Sequence, residues 1–509
     1  MMPRGGIFVR YLMGIDNGGT FSKAAIFRED GVQIASKSAS VSLFTPDSGF
    51  RERDLSELWE ANAAVVKSAI EASGISPSEI AAVSVSGHGK GLYLVDKMGN
   101  PLGRGILSTD CRATDLVSHW ERNGVAEKAR KYTYQPVSAC QPVALLAWLK
   151  EYDPDLYQQI GYVFSVNDYI RFCLTDQPYS EYTVASGSGF VDFEKKGYTE
   201  ELLALFGIPE MSGCLPPLLY SSELAGRVTA KGAAATGLLE GTPVAAGMFD
   251  IDSCGIASGL SDPDNLCLIA GTWSINEYIS DTPVRGEATT RNSFFCEPGR
   301  YLIEESSPTS AGNLEWFIRS QMLEEKAKAR NEGTSIYDLT NEWVAGTDPQ
   351  VNNVVYLPFL NGSSTEGGAS GVFFGLSEST TKKDLVAAVY EGVVFSHRRH
   401  VEKLLMHRSL PKKIRLSGGV TNSAVWTQLF ADALQLPVES VKGKESGALG
   451  AAMAAGVAAG IYSDLTDAVQ KVVSVSASVE PRENMKEIYN RKYQLYCQLE
   501  DSLSSIWHR

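Results

Sequence analysis

Two short turns carry residues suited to holding phosphate. Asp16-Asn17-Gly18-Gly19-Thr20 and Ala270-Gly271-Thr272 each place glycine beside a threonine at the end of an apolar run. Glycine lets backbone N–H groups close on an anion, and the threonine hydroxyl adds a donor. Asp16 can hold magnesium, usually through water, and Lys23 can reach phosphate oxygens. Phosphoryl transfer to an alcohol also needs a carboxylate that accepts the hydroxyl proton. Asp250, at the end of an apolar strand over 244–247, is the candidate, with Asp252 as a decoy two residues on. From position alone Asp250 suits a helix cap equally well.

Other chemistries find less support. Gly87-His88-Gly89-Lys90 lacks the Ser/Thr and the spacing of a P-loop, because Gly91 follows. No Gly-x-Gly-x-x-Gly joins a strand to a helix; Gly187-Ser188-Gly189 comes nearest. His397 and His400 share a helix face, but Arg398 and Arg399 between them would repel a cation. No nucleophile elbow begins a serine hydrolase site.

The residues that must be positioned lie in a chain of 509, 44% hydrophobic, which is too long for one core and suits two domains. A net charge of −14 without a dense basic run argues against nucleic acid as a partner. No apolar run reaches the roughly 20 residues of a membrane helix. The eight cysteines never form Cys-x-x-Cys, which fits a reducing compartment. Residues 1–9 lack the apolar stretch of a secretion signal, so a cytoplasmic location is expected.

Strands are expected over 11–15, 23–27 and 32–42, with a hairpin turn signal at Glu29-Asp30-Gly31, so that the fold opens as an antiparallel meander. Helical spacing follows over 55–72, then a buried strand over 80–86. The strand, glycine turn and returning strand recur at 265–270 and 273–280. Later come a strand over 414–417, a helix over 424–434, a small-residue helix over 446–460 and a closing helix over 484–506. The repeated opening predicts two related domains, at 1–254 and 255–509, with a nucleotide and a second substrate in a cleft between them.

One long pattern narrows this further. Gly371-Val372-Phe373-Phe374-Gly375-Leu376, seven residues, then Asp384-Leu385-Val386-Ala387-Ala388-Val389-Tyr390-Glu391 fits the second signature of the FGGY carbohydrate kinases. Pro142, Trp148, Leu149 and Glu151 fit part of the first, with Leu145 where the family usually has lysine. The chain thus resembles that family from about Met13 to Trp507. The resemblance implies an α/β fold of two duplicated actin-like (ribonuclease H-like) domains. It implies ATP and Mg²⁺, a small-molecule sugar, no membrane, and a homodimer as a common assembly.

Residue by residue, it implies that Asp16 is the magnesium-associated aspartate and Asp250 the catalytic base. Gly18, Gly19, Thr20 and Lys23 match phosphate contacts, and Gly271 and Thr272 the second phosphate turn. Gly418 and Gly419 match the pair against adenosine; Ala311, Glu315 and Ser423 stand at further nucleotide positions. Ser86-Gly87-His88-Gly89-Lys90-Gly91 takes the place of a sugar-contacting turn, which makes His88, Gly89 and Lys90 sugar contacts together with Asp110 and Asp250. The Gly-Lys-Gly turn and the run over 306–317 look most like the L-xylulose kinases of the family. The implied reaction is 5-phosphorylation of a ketopentose such as L-xylulose. Another ketose or polyol, a silent sugar or nucleotide sensor, and an actin-like ATPase remain as alternatives.

Overall fold

The opening hairpin forms from two largely buried runs. Strands Tyr11–Asn17 and Phe21–Arg28 pair antiparallel, with Asp16 opposite Lys23. Gln33–Ser40 continues the meander. Ile80–Gly87 returns parallel to Tyr11–Asn17 after helix Leu55–Ser73. Asp54 caps that helix by accepting from the Glu57 N–H, and Gly74 ends it at φ +70°, each end using the residue type its geometry favours. The computed structural model describes residues 10–285, 290–363, 368–441, 443 and 445–507. The expectation for residues 1–9 lies outside these.

The chain forms two compact units, and both are assembled from separate segments. The first takes residues 1–261, 279–302 and 443–473; the second takes 262–278, 303–442 and 474–509. In the first, the sheet runs in the order Leu224–Arg227, Pro243–Ala245, Ile80–Gly87, Tyr11–Asn17, Phe21–Arg28, Gln33–Ser40. Its core gathers Met13, Ile15, Ile26, Leu58, Val83 and Val85. A separate cluster, including Leu92, Val143, Leu146 and Phe190, packs within the same unit.

The small-residue helix Ser446–Ala458 lies in this first unit, although most of the second precedes it in sequence. It lies so close to the opening strand that a Cβ on Gly14 would sit 1.8 Å from the Ala448 carbonyl oxygen. Side chains of ordinary size would force this helix off the sheet.

In the second unit, Asn265–Ala270 pairs antiparallel with Ser274–Ser280 and parallel with Lys413–Ser417. This is the same strand pattern as Tyr11–Asn17 with Phe21–Arg28 and Ile80–Gly87. The signature segment has a structural basis here. Val372–Phe374 pairs with Val355–Leu357. Gly375, at φ +85°, approaches the Asn353 carbonyl so closely that a Cβ would lie 2.6 Å from its oxygen. Thr381 and Asp384 form a capping box that starts helix Lys382–Leu404. Helices Ala424–Leu434 and Lys486–Trp507 stand close to their expected bounds. Among the described residues no helix is long and apolar enough to cross a membrane.

Candidate active site

In the first unit the chemistry gathers around Gly447. Asp16 ends the opening strand, and a Cβ on Gly447 would fall 2.7 Å from its carboxylate. Ser86 Oγ lies 2.9 Å from Asp16 Oδ1 and 3.0 Å from the Gly447 carbonyl. Ser253 Oγ donates to that same carbonyl at 2.6 Å. Ser253 belongs to helix Asp250–Ala257, so one backbone carbonyl ties the Asp16 strand to the Asp250 helix. Burial pushes the Asp16 carboxyl upward; Ser86 and Lys23 act against this and Glu445 adds to it. Lys23 pairs with Glu445 at 3.1 Å.

The sequence places Asp250 at a strand end. The strand is the two-residue Met248–Phe249, and Asp250 is the first residue of the helix that follows. A first-turn position favours a negative side chain. Asp252 points away from solvent and accepts from the Cys296 N–H at 3.1 Å.

The turn at Gly18-Gly19-Thr20 is braced from below. Asn17 is buried; its Oδ1 accepts from Ser22 Oγ at 3.0 Å and from Asn62 Nδ2 at 2.9 Å. Arg53, unremarked in the sequence, is buried and donates to the Gly19 carbonyl at 2.7 Å. Glycine at 19 has no internal cause. Its φ is not left-handed, and a Cβ there would meet nothing within 4 Å. Gly271 and Gly419 share this property. Open space over a braced backbone is what an approaching phosphate or nucleoside requires.

The proposed sugar turn follows strand Ile80–Gly87. His88 is buried, with Nε2 3.0 Å from Tyr93 Oη and Nδ1 3.3 Å from the Gly89 carbonyl. The carbonyl requires a proton on Nδ1, so Nε2 accepts from the tyrosine. Burial drives His88 down to about 4; the Gly89 carbonyl opposes this and Arg53 adds to it. The ring is therefore neutral at pH 7, and both nitrogens are engaged by protein groups. Gly89 is glycine because the Phe249 ring would lie 2.6 Å from a Cβ. Lys90 adopts φ +63°, which costs a non-glycine residue ~1 kcal/mol. Asp110 is buried and accepts four hydrogen bonds, from the Arg51 and Arg112 N–H groups and from Arg112 Nε and Nη2. Its carboxylate shapes the loop and has no exposed oxygen, since the side chain is 0% exposed.

In the second unit a cavity of about 540 Å³ is lined by Gly271, Thr272, Ala311, Glu315, Gly419 and Ser423 among others. Gly418 stands behind them. Its φ of +95° and a would-be Cβ 2.5 Å from the Ala270 carbonyl oxygen explain its glycine. Tyr390, from the signature segment, also lines it, and so do Asn341 and Trp426, which carried no signal that sequence reasoning used. The Tyr390 and Trp426 rings stack at 4.1 Å. Asn341 Oδ1 accepts from Ser423 Oγ at 2.6 Å and from Tyr390 Oη at 3.0 Å, which leaves its amide N–H groups as the donors. His397, rejected above as a metal ligand, is buried between Asn276 and Ser310. It fixes the loop that carries Ala311.

Magnesium takes one or two carboxylates plus phosphate oxygens and water. Asp16, half-buried beside an open glycine turn, fits that role. Among the described residues no group of three or more His, Cys, Asp or Glu could hold a metal alone.

Comparison with known proteins gives this arrangement a family. The model of the FGGY family of carbohydrate kinases, N-terminal domain, matches residues 11–256, and its C-terminal domain matches 266–459. The "Probable L-xylulose kinase" of Pasteurella multocida (strain Pm70) is 36% identical, over 98% of this chain and 100% of its own length. The "L-xylulose/3-keto-L-gulonate kinase" of Escherichia coli (strain K12) is 34% identical, over 98% of each. The crystal structure of xylulose kinase from Rhodospirillum rubrum superposes with a TM-score of 0.87 at 27% identity, over 98% of this chain and 100% of that one. The chain belongs to the FGGY family of carbohydrate kinases, enzymes that phosphorylate sugars with ATP.

Proposed function

We propose that this kinase transfers the γ-phosphoryl group of ATP to a ketopentose, with L-xylulose the leading substrate and its 5-phosphate the product. The supporting observation is the junction at Gly447, which serves the Asp16 strand through Ser86 and the Asp250 helix through Ser253. Phosphoryl transfer needs a metal-associated carboxylate and a base carboxylate, and these are the two residues the junction serves. The sugar is taken from the relatives named above. In this reading the first unit holds the sugar and the second holds ATP.

Asp250 accepts the proton of the attacking hydroxyl. The new oxygen–phosphorus bond forms as the bond from γ-phosphorus to the bridging oxygen breaks, and ADP leaves. The backbone N–H groups of Gly18, Gly19 and Thr20 and the Lys23 ammonium receive phosphate oxygens; Gly271 and Thr272 hold the nucleotide's phosphates from the second unit. Asp16 would hold Mg²⁺, which when bound would supply charge neutralisation for the phosphates. The proposal places the enzyme in the cytoplasm, with a homodimer as the assembly to check by sedimentation.

The test is ADP release over a panel of ketoses, polyols and 3-keto-L-gulonate. The last carries a carboxylate that Lys90 can meet. Sugar-dependent ADP release is expected, highest with L-xylulose. A sugar-independent ATPase, or no turnover with any sugar, rejects the proposal. Asp250→Asn should lower kcat by about 10²- to 10⁴-fold; unchanged turnover in a folded variant would remove Asp250 from the mechanism.

A further inference from the structure

We infer that Thr183 and Glu181 are positioning residues that fix the direction of Asp250. The inference rests on the reading of Asp250 as the base. Helix Asp250–Ala257 has no side-chain cap of its own: Phe249 stands at the cap position and supplies none. The brace comes from 66 positions away, where the Phe249 N–H donates to Thr183 Oγ1 at 2.8 Å. The Thr183 hydroxyl in turn donates to Glu181 Oε2 at 2.6 Å. That oxygen also accepts the Thr183 and Val184 N–H groups, at 2.9 and 3.2 Å.

The second carboxyl oxygen completes the arrangement. Glu181 Oε1 accepts from Ser221 Oγ at 2.7 Å, and the Ser221 carbonyl accepts the Gly247 N–H at 3.1 Å. Strand Met248–Phe249 is therefore tied on both sides, and both ties lead to one carboxyl. Glu181 and Ser221 are 0% exposed and Thr183 is 1% exposed. A buried carboxyl is costly where packing alone is needed, whereas this one directs an acceptor at each tie. The Phe249 ring also lies against Gly89, so the residue that aims the base borders the sugar turn as well.

Thr183→Val removes the hydroxyl and keeps the shape; Thr183→Ser keeps the hydroxyl. The valine variant should lose about 10- to 100-fold in kcat, with the KM for ATP within about threefold of the parent. The serine variant should recover most of that loss. In an Asp250→Asn background, Thr183→Val should cost nothing further, because Thr183 acts through the carboxylate. Equal kcat for the valine and serine variants overturns the inference, and so does a full additional loss in the Asn background. If the valine variant does not fold, Glu181→Gln serves in its place, judged by the same kcat loss and the same double variant. Unchanged turnover in Asp250→Asn alone would instead overturn the base reading.

Discussion

Glu181 brings a carboxyl into a site with no solvent contact, and this makes a prediction about pH. Burial raises it to about 7 from 4.5, against the donors of Thr183, Ser221 and Val184 that pull it down. Between those values the folded chain holds a proton that the unfolded chain has lost. The associated stability is thus complete below about pH 4.5 and disappears as pH rises through about 7. A shift from 4.5 to about 7 corresponds to about 3 kcal/mol across the window. Glu181→Gln is neutral throughout and lacks this term. Melting temperatures measured from about pH 5 to 8 should fall more steeply for the parent than for the glutamine variant. Parallel curves would show that Glu181 is ionised in the fold.

At this scale the sequence was most legible where glycine or a signature was involved, because glycine reports backbone demand directly. Gly271, Gly419 and Ser423 line one cavity. The directions of side chains were not legible. Ser86, read as part of a sugar turn, meets Asp16; His88 spends both nitrogens on protein atoms; Asp110 is enclosed by Arg51 and Arg112. No spacing rule distinguishes a loop aspartate that faces a ligand from one that accepts its neighbours' N–H groups. Arg53 and Thr183 act through partners 34 and 66 positions away, and nothing local marks them.

At the scale of elements, the helix Ser446–Ala458 packs against both the strand that carries Asp16 and the helix that begins at Asp250. Its run of alanine and glycine was readable as a helix made for close packing. Its partner was not readable, because such a run is apolar all round and has no directional face. The structure packs it on the opening strand at Gly14 and on helix Asp250–Ala257 at Ser253. A Cβ on Gly450 would meet the Ser253 carbonyl oxygen at 2.2 Å and its Oγ at 2.5 Å. Backbone cannot yield as a flexible side chain can. Gly450→Ala should therefore destabilise the protein by about 1–3 kcal/mol. It should also lower kcat, since Ser253 would lose its contact with the Gly447 carbonyl. Denaturant unfolding together with turnover checks this; an alanine variant with parent stability and rate would show that the helices have room to part.

At the scale of the whole molecule, the repeated strand pattern was visible in sequence as two glycine-threonine turns, and each heads the same arrangement of three strands. The course of the chain through the units was hidden. Residues 443–473 join the first unit, and this depends on tertiary packing alone. The proposed division of labour between the units yields a prediction that distinguishes them. A ligand that binds only the folded state slows exchange of the amides it orders, by about 100-fold at a concentration 100 times its Kd. ADP alone should protect the second unit's amides around 271–272 and 419–423. L-xylulose alone should protect the first unit's amides around 86–91 and 249–250. The two footprints rest on different observations: the open glycines and stacked aromatic pair at the 540 Å³ cavity, and the contact of Phe249 with Gly89. Hydrogen-exchange mass spectrometry with each ligand separately reads both. If ADP protects 86–91, or the sugar protects 419–423, the assignment of nucleotide and sugar to the two units is wrong, whatever the turnover assays report.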